Sequence, residues 1–160
     1  GRGWRTVVPS PMPQKVIQRK MIREAATQGH IVIACGGGGI PVFRTERRDY
    51  AGVEAVIDKD RTSGVLAKGI EADLLIVLTA VDCVYLGFGT EEETPLGAVT
   101  LAECARHIAD GHFPPGSMGP KVEAVQDFLL GGGSRGLITS PGRLREALHG
   151  EAGTHFIGKI

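Results

Sequence analysis

Apolar and polar residues follow two rhythms along this chain, one of helical period and one of short apolar runs. From Gln14 to Gln28 the apolar positions Val16, Ile17, Met21, Ile22, Ala25 and Ala26 recur at helical spacing and Gly29 supplies the stop, which predicts a helix over 14–28. His30 to Cys35 is a β-branched run that reads as a strand ending directly in four glycines. Val42-Phe43 and Tyr50-Ala51-Gly52-Val53 flank a charged stretch around Arg47, Arg48 and Asp49, as the arms of an exposed hairpin would. Asp60 to Glu71 mixes apolar Val65, Leu66 and Ile70 with charge as a short amphipathic helix, and Ala72 to Thr79 has the continuous apolar character of a strand covered on both faces.

The second half continues the alternation. A short strand is expected over Val84 to Phe88, then a loop from Glu91 to Pro95, a helix near Leu101 to Asp110 and another over Gly116 to Leu130. Leu137 to Thr139 reads as a strand, Arg143 to His149 as a helix and Thr154 to Ile157 as a last edge strand. Strand alternating with helix implies an α/β domain on a mainly parallel sheet. Pro9, Pro11 and Pro13 make residues 1–13 an extended lead-in, and with no linker beyond them residues 14–160 read as one domain.

Composition narrows the class. The chain has 160 residues, enough to bury roughly 70% of the surface its unfolded form exposes. Lysine plus arginine and aspartate plus glutamate both number 18, so no global field favours nucleic acid or an anionic membrane. The 24 glycines fall in clusters between apolar runs, which fits turns of an α/β domain rather than a collagen-like or disordered chain. Cys35, Cys83 and Cys104 form neither a disulfide framework nor a zinc pattern, and a reducing, cytoplasmic setting is expected. No apolar run approaches a membrane span, and the first residues lack a signal-peptide core. The first residue is Gly1 rather than methionine, so a fragment or a processed product is expected.

Three phrases carry candidate chemistry. Gly36-Gly37-Gly38-Gly39 follows a predicted strand, where open α/β sheets place ligands, and offers backbone without side chains to an anion. It is neither a Walker loop, since Ile40-Pro41 follows, nor a dinucleotide fingerprint. Asp58-Lys59-Asp60 is either a solvated charge cluster with Asp60 capping a helix, or a lysine for a transferring phosphoryl group held by its neighbouring acid. Gly116-Ser117-Met118-Gly119-Pro120-Lys121 places Ser117 at a cap position and backbone amides at a helix N-terminus, with Lys121 beside them; an ordinary capped helix start is the alternative. Gly132 to Gly136 satisfies the nucleophile-elbow expression G-x-S-x-G, but it stands in the order helix, glycines, strand and is set aside. The five histidines show no metal-ligand spacing and no metal site is expected; His112 draws attention only by its place beside the third phrase.

With all three phrases in place, the chain resembles the carbamate kinases of the amino acid kinase family. The resemblance rests on Gly3-Trp4-Arg5 with Val7-Val8-Pro9-Ser10-Pro11, on Gly29 to Pro41, Gly52 to Asp60, Leu78 to Tyr85 and Gly111 to Val122, and on Gly153-Thr154. It implies a three-layer αβα sandwich and reversible phosphoryl transfer between ATP, with Mg2+, and carbamate, giving carbamoyl phosphate and ADP, in arginine or purine-derivative breakdown. It also implies that Lys59 and Lys121 contact phosphate and that Asp60 orients them. Thr79, Val81, Asp82 and Tyr85, with Gly116, Ser117, Met118 and Gly119, match the nucleotide side, and Gly36, Gly37, Gly38 and Gly39 the reacting side. Carbamate kinases are about twice this length, so the resemblance covers their C-terminal, nucleotide-binding half. A missing N-terminal half, with most of the carbamate pocket and the usual homodimer surface, is implied as partner.

Overall fold

The computed structural model describes Trp4 and residues 6–158. Gly3 and Arg5 of the first quoted phrase lie outside them. The chain runs through α1 (Arg19–Thr27), the strands β1 (Val42–Arg44) and β2 (Tyr50–Gly52), α2 (Lys59–Gly69) and β3 (Leu74–Leu78). Three short strands follow, β4 (Val84–Leu86), β5 (Thr94–Leu96) and β6 (Ala98–Thr100), then α3 (Leu101–Ala109) and α4 (Met118–Leu130). β7 (Arg135–Thr139), a 3-10 turn at Pro141–Arg143, α5 (Leu144–Leu148) and β8 (Thr154–Ile157) complete it.

The main sheet has the order β3-β7-β8-β6. β3 and β7 are parallel, as are β6 and β8, and the two pairs meet through an antiparallel β7/β8 ladder, so the sheet is mainly parallel as the alternation implies. Both of its faces are covered. Val77 and Ile138 join Val122, Val125 and Phe128 of α4 in one cluster, while fully buried Leu137 and Ala147 of α5 lie outside it, on the other side of the pleat. That gives the expected αβα layering.

Close helix packing sets the site. α2 and α4 approach each other at Gly64, where an added Cβ would stand 2.7 Å from the Ala124 carbonyl oxygen. The N-terminal turns of the two helices are tied by two ion pairs, Lys121 to Asp60 at 2.7 Å and, further along α4, Arg61 to Glu123 at 2.6 Å. Thr154, fully buried in β8, stitches the β4/β5 hairpin to the main sheet: its hydroxyl accepts from the Val84 amide and donates to the Leu96 carbonyl.

Several elements depart from the sequence pattern. His30 to Cys35 is not a strand: a ladder needs a partner, the described residues offer this run none, and Ile31 and Ile33 stand 97% and 96% exposed. The first helix begins at Arg19 rather than Gln14, with no side-chain cap at Gln18, and buries none of its residues. The expected Glu91 to Pro95 loop ends in β5, whose Pro95 pairs opposite Tyr85, and β6 lies just ahead of α3, too short to show as a periodicity. The helix cap before Lys59 is Asp58, not Asp60; Asp58 Oδ1 accepts from the amides of Asp60 and Arg61 at 3.0 Å each.

Two measurements follow from this packing. Gly64→Ala would gain about 1 kcal/mol of helix propensity, but overpacking against a backbone carbonyl costs about 1–3 kcal/mol. The expected outcome is a lower denaturation midpoint, read by urea titration. Cys104 is wholly buried, and desolvation pushes its thiol up to about 11. Alkylation of the native chain near pH 8 is expected to modify the half-buried Cys35 and Cys83 and spare Cys104 until denaturant is added, as read by peptide mass.

Candidate functional site

The first turn of α2 is built so that its two acids do different work. Asp58, extended at φ −67° and ψ 129°, spends its carboxylate on the helix's orphan amides. Asp60, one residue inside the helix, is therefore free to face sideways toward α4, and its Oδ2 accepts from Lys121 Nζ at 2.7 Å and from Lys59 Nζ at 3.5 Å. The Asp60 and Lys121 side chains are only 12% and 14% exposed, whereas that of Lys59 is 59% exposed. One carboxylate thus fixes one ammonium tightly and leaves a second beside it with room to move. Asp60 thus holds two ammonium groups with one carboxylate, while Asp58 is engaged by helix amides and Arg61 and Glu123 pair with each other, an arrangement that suits an incoming phosphoryl group.

The glycine run lies directly against this turn. Gly38 is buried at φ +138°, and a Cβ there would fall 2.0 Å from the Ile57 carbonyl oxygen, so only glycine lets the loop reach the backbone ahead of Asp58. Gly36, Gly37 and Gly39 are exposed around it, and the Gly38 amide closes the turn onto the Cys35 carbonyl at 2.8 Å.

At the N-terminus of α4 the structure corrects one expectation. Ser117 stands at the cap position but with φ −144° and ψ −82°, and its hydroxyl makes no cap bond. The Ser117 and Gly119 amides instead donate to the Pro114 carbonyl, at 3.2 and 2.9 Å, so two of the amides expected to be open are occupied. Gly116 is exposed, Met118 half-buried and Gly119 buried against that same carbonyl. His112 stacks edge-on to His107, with ring centroids 5.7 Å apart, in a small aromatic group rather than in the lysine cluster. Among the described residues no three His, Cys, Asp or Glu side chains gather to hold a metal ion.

Thr79 and Asp82 form a separate platform at the carboxyl end of the parallel β3/β7 pair, with Val81 in the bend between them and Tyr85 beyond it in β4, joined to the lysine cluster by no hydrogen bond or ion pair among the described residues. The Thr79 amide donates to the Thr139 carbonyl at 2.9 Å, the Thr139 hydroxyl to the Asp82 carbonyl at 3.1 Å, and the Ser140 hydroxyl to Asp82 Oδ1 at 2.6 Å. Thr139 and Ser140 are residues that sequence reasoning missed; their position at a strand's carboxyl end was the available signal. The platform borders a cleft of about 440 Å³ lined by Asp82, Cys83, Leu96, Gly97, Arg143 and Gly153. Tyr85 rests at 5.8 Å from the Phe88 ring, and hydrogen bonding to Cys83, with that group's charge, pushes its hydroxyl up to about 12. A larger cleft, about 650 Å³ between the lead-in and α2, contains none of the residues singled out from sequence.

Comparison with known proteins bears on this arrangement. The amino acid kinase family matches residues 2–140. The carbamate kinase-like protein YahI of Escherichia coli is 47% identical over 157 residues, 98% of this chain and 50% of that protein. A carbamate kinase of Staphylococcus haemolyticus is 50% identical over 155 residues, 96% of this chain and 50% of that protein. Among solved structures, carbamate kinase from Giardia lamblia bound to AMP-PNP superposes with a TM-score of 0.93 at 40% identity, over 99% of this chain and 50% of that one. The chain spans about half the length of the relatives it matches. The family match over most of the sequence and relatives 47% and 50% identical over nearly all of it lead to one conclusion: this chain belongs to the amino acid kinase family.

Proposed function

We propose that this chain is the nucleotide-binding half of a carbamate kinase, acting on carbamoyl phosphate and ADP in one direction and on ATP and carbamate in the other. The observation that carries the reading is the Asp60 carboxylate shared by Lys121 and Lys59 at the foot of a glycine loop. In the direction of ATP formation an oxygen of the ADP β-phosphate attacks phosphorus and the bond from phosphorus to the carbamoyl oxygen breaks. Such a transfer asks for positioning and charge neutralisation more than for a covalent nucleophile. Lys121, held by Asp60, supplies a fixed positive charge, and Lys59 follows the phosphoryl group as it moves. Thr79, Val81, Asp82 and Tyr85, with Gly116 to Gly119, carry the nucleotide, and Gly36 to Gly39 border the reacting end. Bound with the nucleotide, Mg2+ would supply charge neutralisation on the phosphates.

The remaining half is supplied by a further N-terminal portion, in which acceptor choice and dimer contacts reside. In support, Val7, Ile31, Ile33 and Ile40 are 86%, 97%, 96% and 89% exposed, and α1 buries no residue, an apolar surface that a larger fold would cover. Residues 14–160 act as one unit beneath it. The free cysteines and the lack, among the described residues, of a helix able to cross a membrane accord with a cytoplasmic enzyme. An enzyme of the same family with another acceptor, or a module that binds nucleotide without turnover, is the alternative.

The chain is expected to bind ADP with Mg2+ by calorimetry, and failure of the folded chain to do so overturns the nucleotide assignment. With an N-terminal carbamate kinase half supplied, it is expected to make ATP from carbamoyl phosphate. Lys59→Ala and Lys121→Ala are each expected to lower kcat roughly 100-fold or more, the size found for a lost oxyanion donor. Near-parent turnover in both removes the lysines from the mechanism, and binding without turnover in the parent favours the module.

A further inference from the structure

Thr62 is a buried hydroxyl that the phosphoryl-transfer reading leaves unused. It sits in the first turns of α2 with 3% of its surface exposed. Its Oγ1 lies 3.0 Å from the carbonyl oxygens of both Gly38 and Asp58. A threonine hydroxyl has one proton to give. The Asp58 carbonyl already accepts the Thr62 amide at 3.0 Å within the helix, whereas the Gly38 carbonyl is buried in the loop and the hydroxyl is the donor that reaches it. A buried carbonyl left without a donor is costly, so the proton belongs mainly to Gly38.

That bond has a geometric consequence. The peptide joining Gly38 to Gly39 is planar and trans, so its carbonyl and its N–H point in opposite directions. Drawing the Gly38 carbonyl inward to Thr62 turns the Gly39 N–H outward. Gly39 is exposed, at φ +89°, and nothing stands within 4 Å of where its Cβ would be. The close approach of Gly38 to Ile57 fixes the Cα from which the same peptide starts, and the helix that carries Thr62 also carries Lys59 and Asp60.

We propose that Thr62 is a positioning residue that locks the Gly38–Gly39 peptide, so that the Gly39 N–H is presented as a fixed hydrogen-bond donor to the transferring phosphoryl group. The proposal rests on the phosphoryl-transfer reading for the identity of the acceptor, but the lock itself is a property of the chain alone. It accounts for the burial of a hydroxyl in the first turns of α2, and it registers the loop to the lysine cluster through a single helix.

Two variants separate the lock from simple packing: Thr62→Val keeps shape and loses the hydroxyl, and Thr62→Ser keeps the hydroxyl and loses the methyl. Hydrogen exchange of the chain is read by mass spectrometry on peptides covering 36–39 and on β7. Thr62→Val is expected to speed exchange in the loop about tenfold with β7 unchanged, and Thr62→Ser to stay near the parent. Equal loop exchange in parent and Thr62→Val, a matching loss of protection in β7, or a Thr62→Ser variant as fast as Thr62→Val would each overturn the lock. With the N-terminal half supplied, Thr62→Val is expected to lower kcat about tenfold and leave ADP affinity unaltered; an unchanged kcat beside a loosened loop overturns the catalytic part. A parent without turnover speaks against the phosphoryl-transfer reading and leaves the exchange result to decide the lock.

Discussion

The ion pair between Lys121 and Asp60 is the contact on which the candidate site depends. It joins the first turns of α2 and α4 at 2.7 Å, with both side chains largely withdrawn from water. Such a pair is a poor means of stabilising a fold, because desolvating two charges offsets most of their attraction. Apolar residues of similar volume would hold the helices at least as well, and Arg61 with Glu123 already ties the same helices. What the pair provides is a lysine with a defined position in the unliganded chain. An ammonium fixed in advance needs no reorganisation to meet an anion, which is the condition under which electrostatic stabilisation is largest.

Much else can be traced to the need to bring this pair beside the glycine loop. Asp58 takes the capping duty and so frees Asp60. Gly64 lets α2 come close enough to α4 for a lysine to reach across, and Gly38 lets the loop settle on Ile57. The Thr79–Asp82 segment is secured independently, by Thr139 and Ser140 at the end of β7. The site is therefore two rigid pieces on one sheet, each fixed by polar contacts local to it.

The sequence made most periodic elements legible, because apolar spacing reports burial, and it marked the glycine run and Asp58-Lys59-Asp60 as segments that the fold brings together. It was less informative where partners decide the outcome. His30 to Cys35 has strand composition, yet composition cannot supply the neighbouring strand whose hydrogen bonds would make it one. β6 was invisible because three residues carry no period, and Asp58 and Asp60 compete for one cap with equal intrinsic preference, so only the backbone angles at Asp58 separate them. Thr62 and Ser140 escaped notice for a related reason: a lone hydroxyl acquires meaning only from the carbonyl or carboxylate that the fold brings to it.

Asp60, on this geometry, acts through Lys121. The most direct measurement is a double-mutant cycle with Asp60→Asn and Lys121→Met, read as carbamoyl-phosphate-dependent ATP synthesis with the N-terminal half present. If Asp60 serves to position Lys121, the double variant will be hardly slower than Lys121→Met alone, with a coupling of the order of 1–3 kcal/mol between the two sites. Losses that simply multiply would show that the two residues act independently and would contradict the claim.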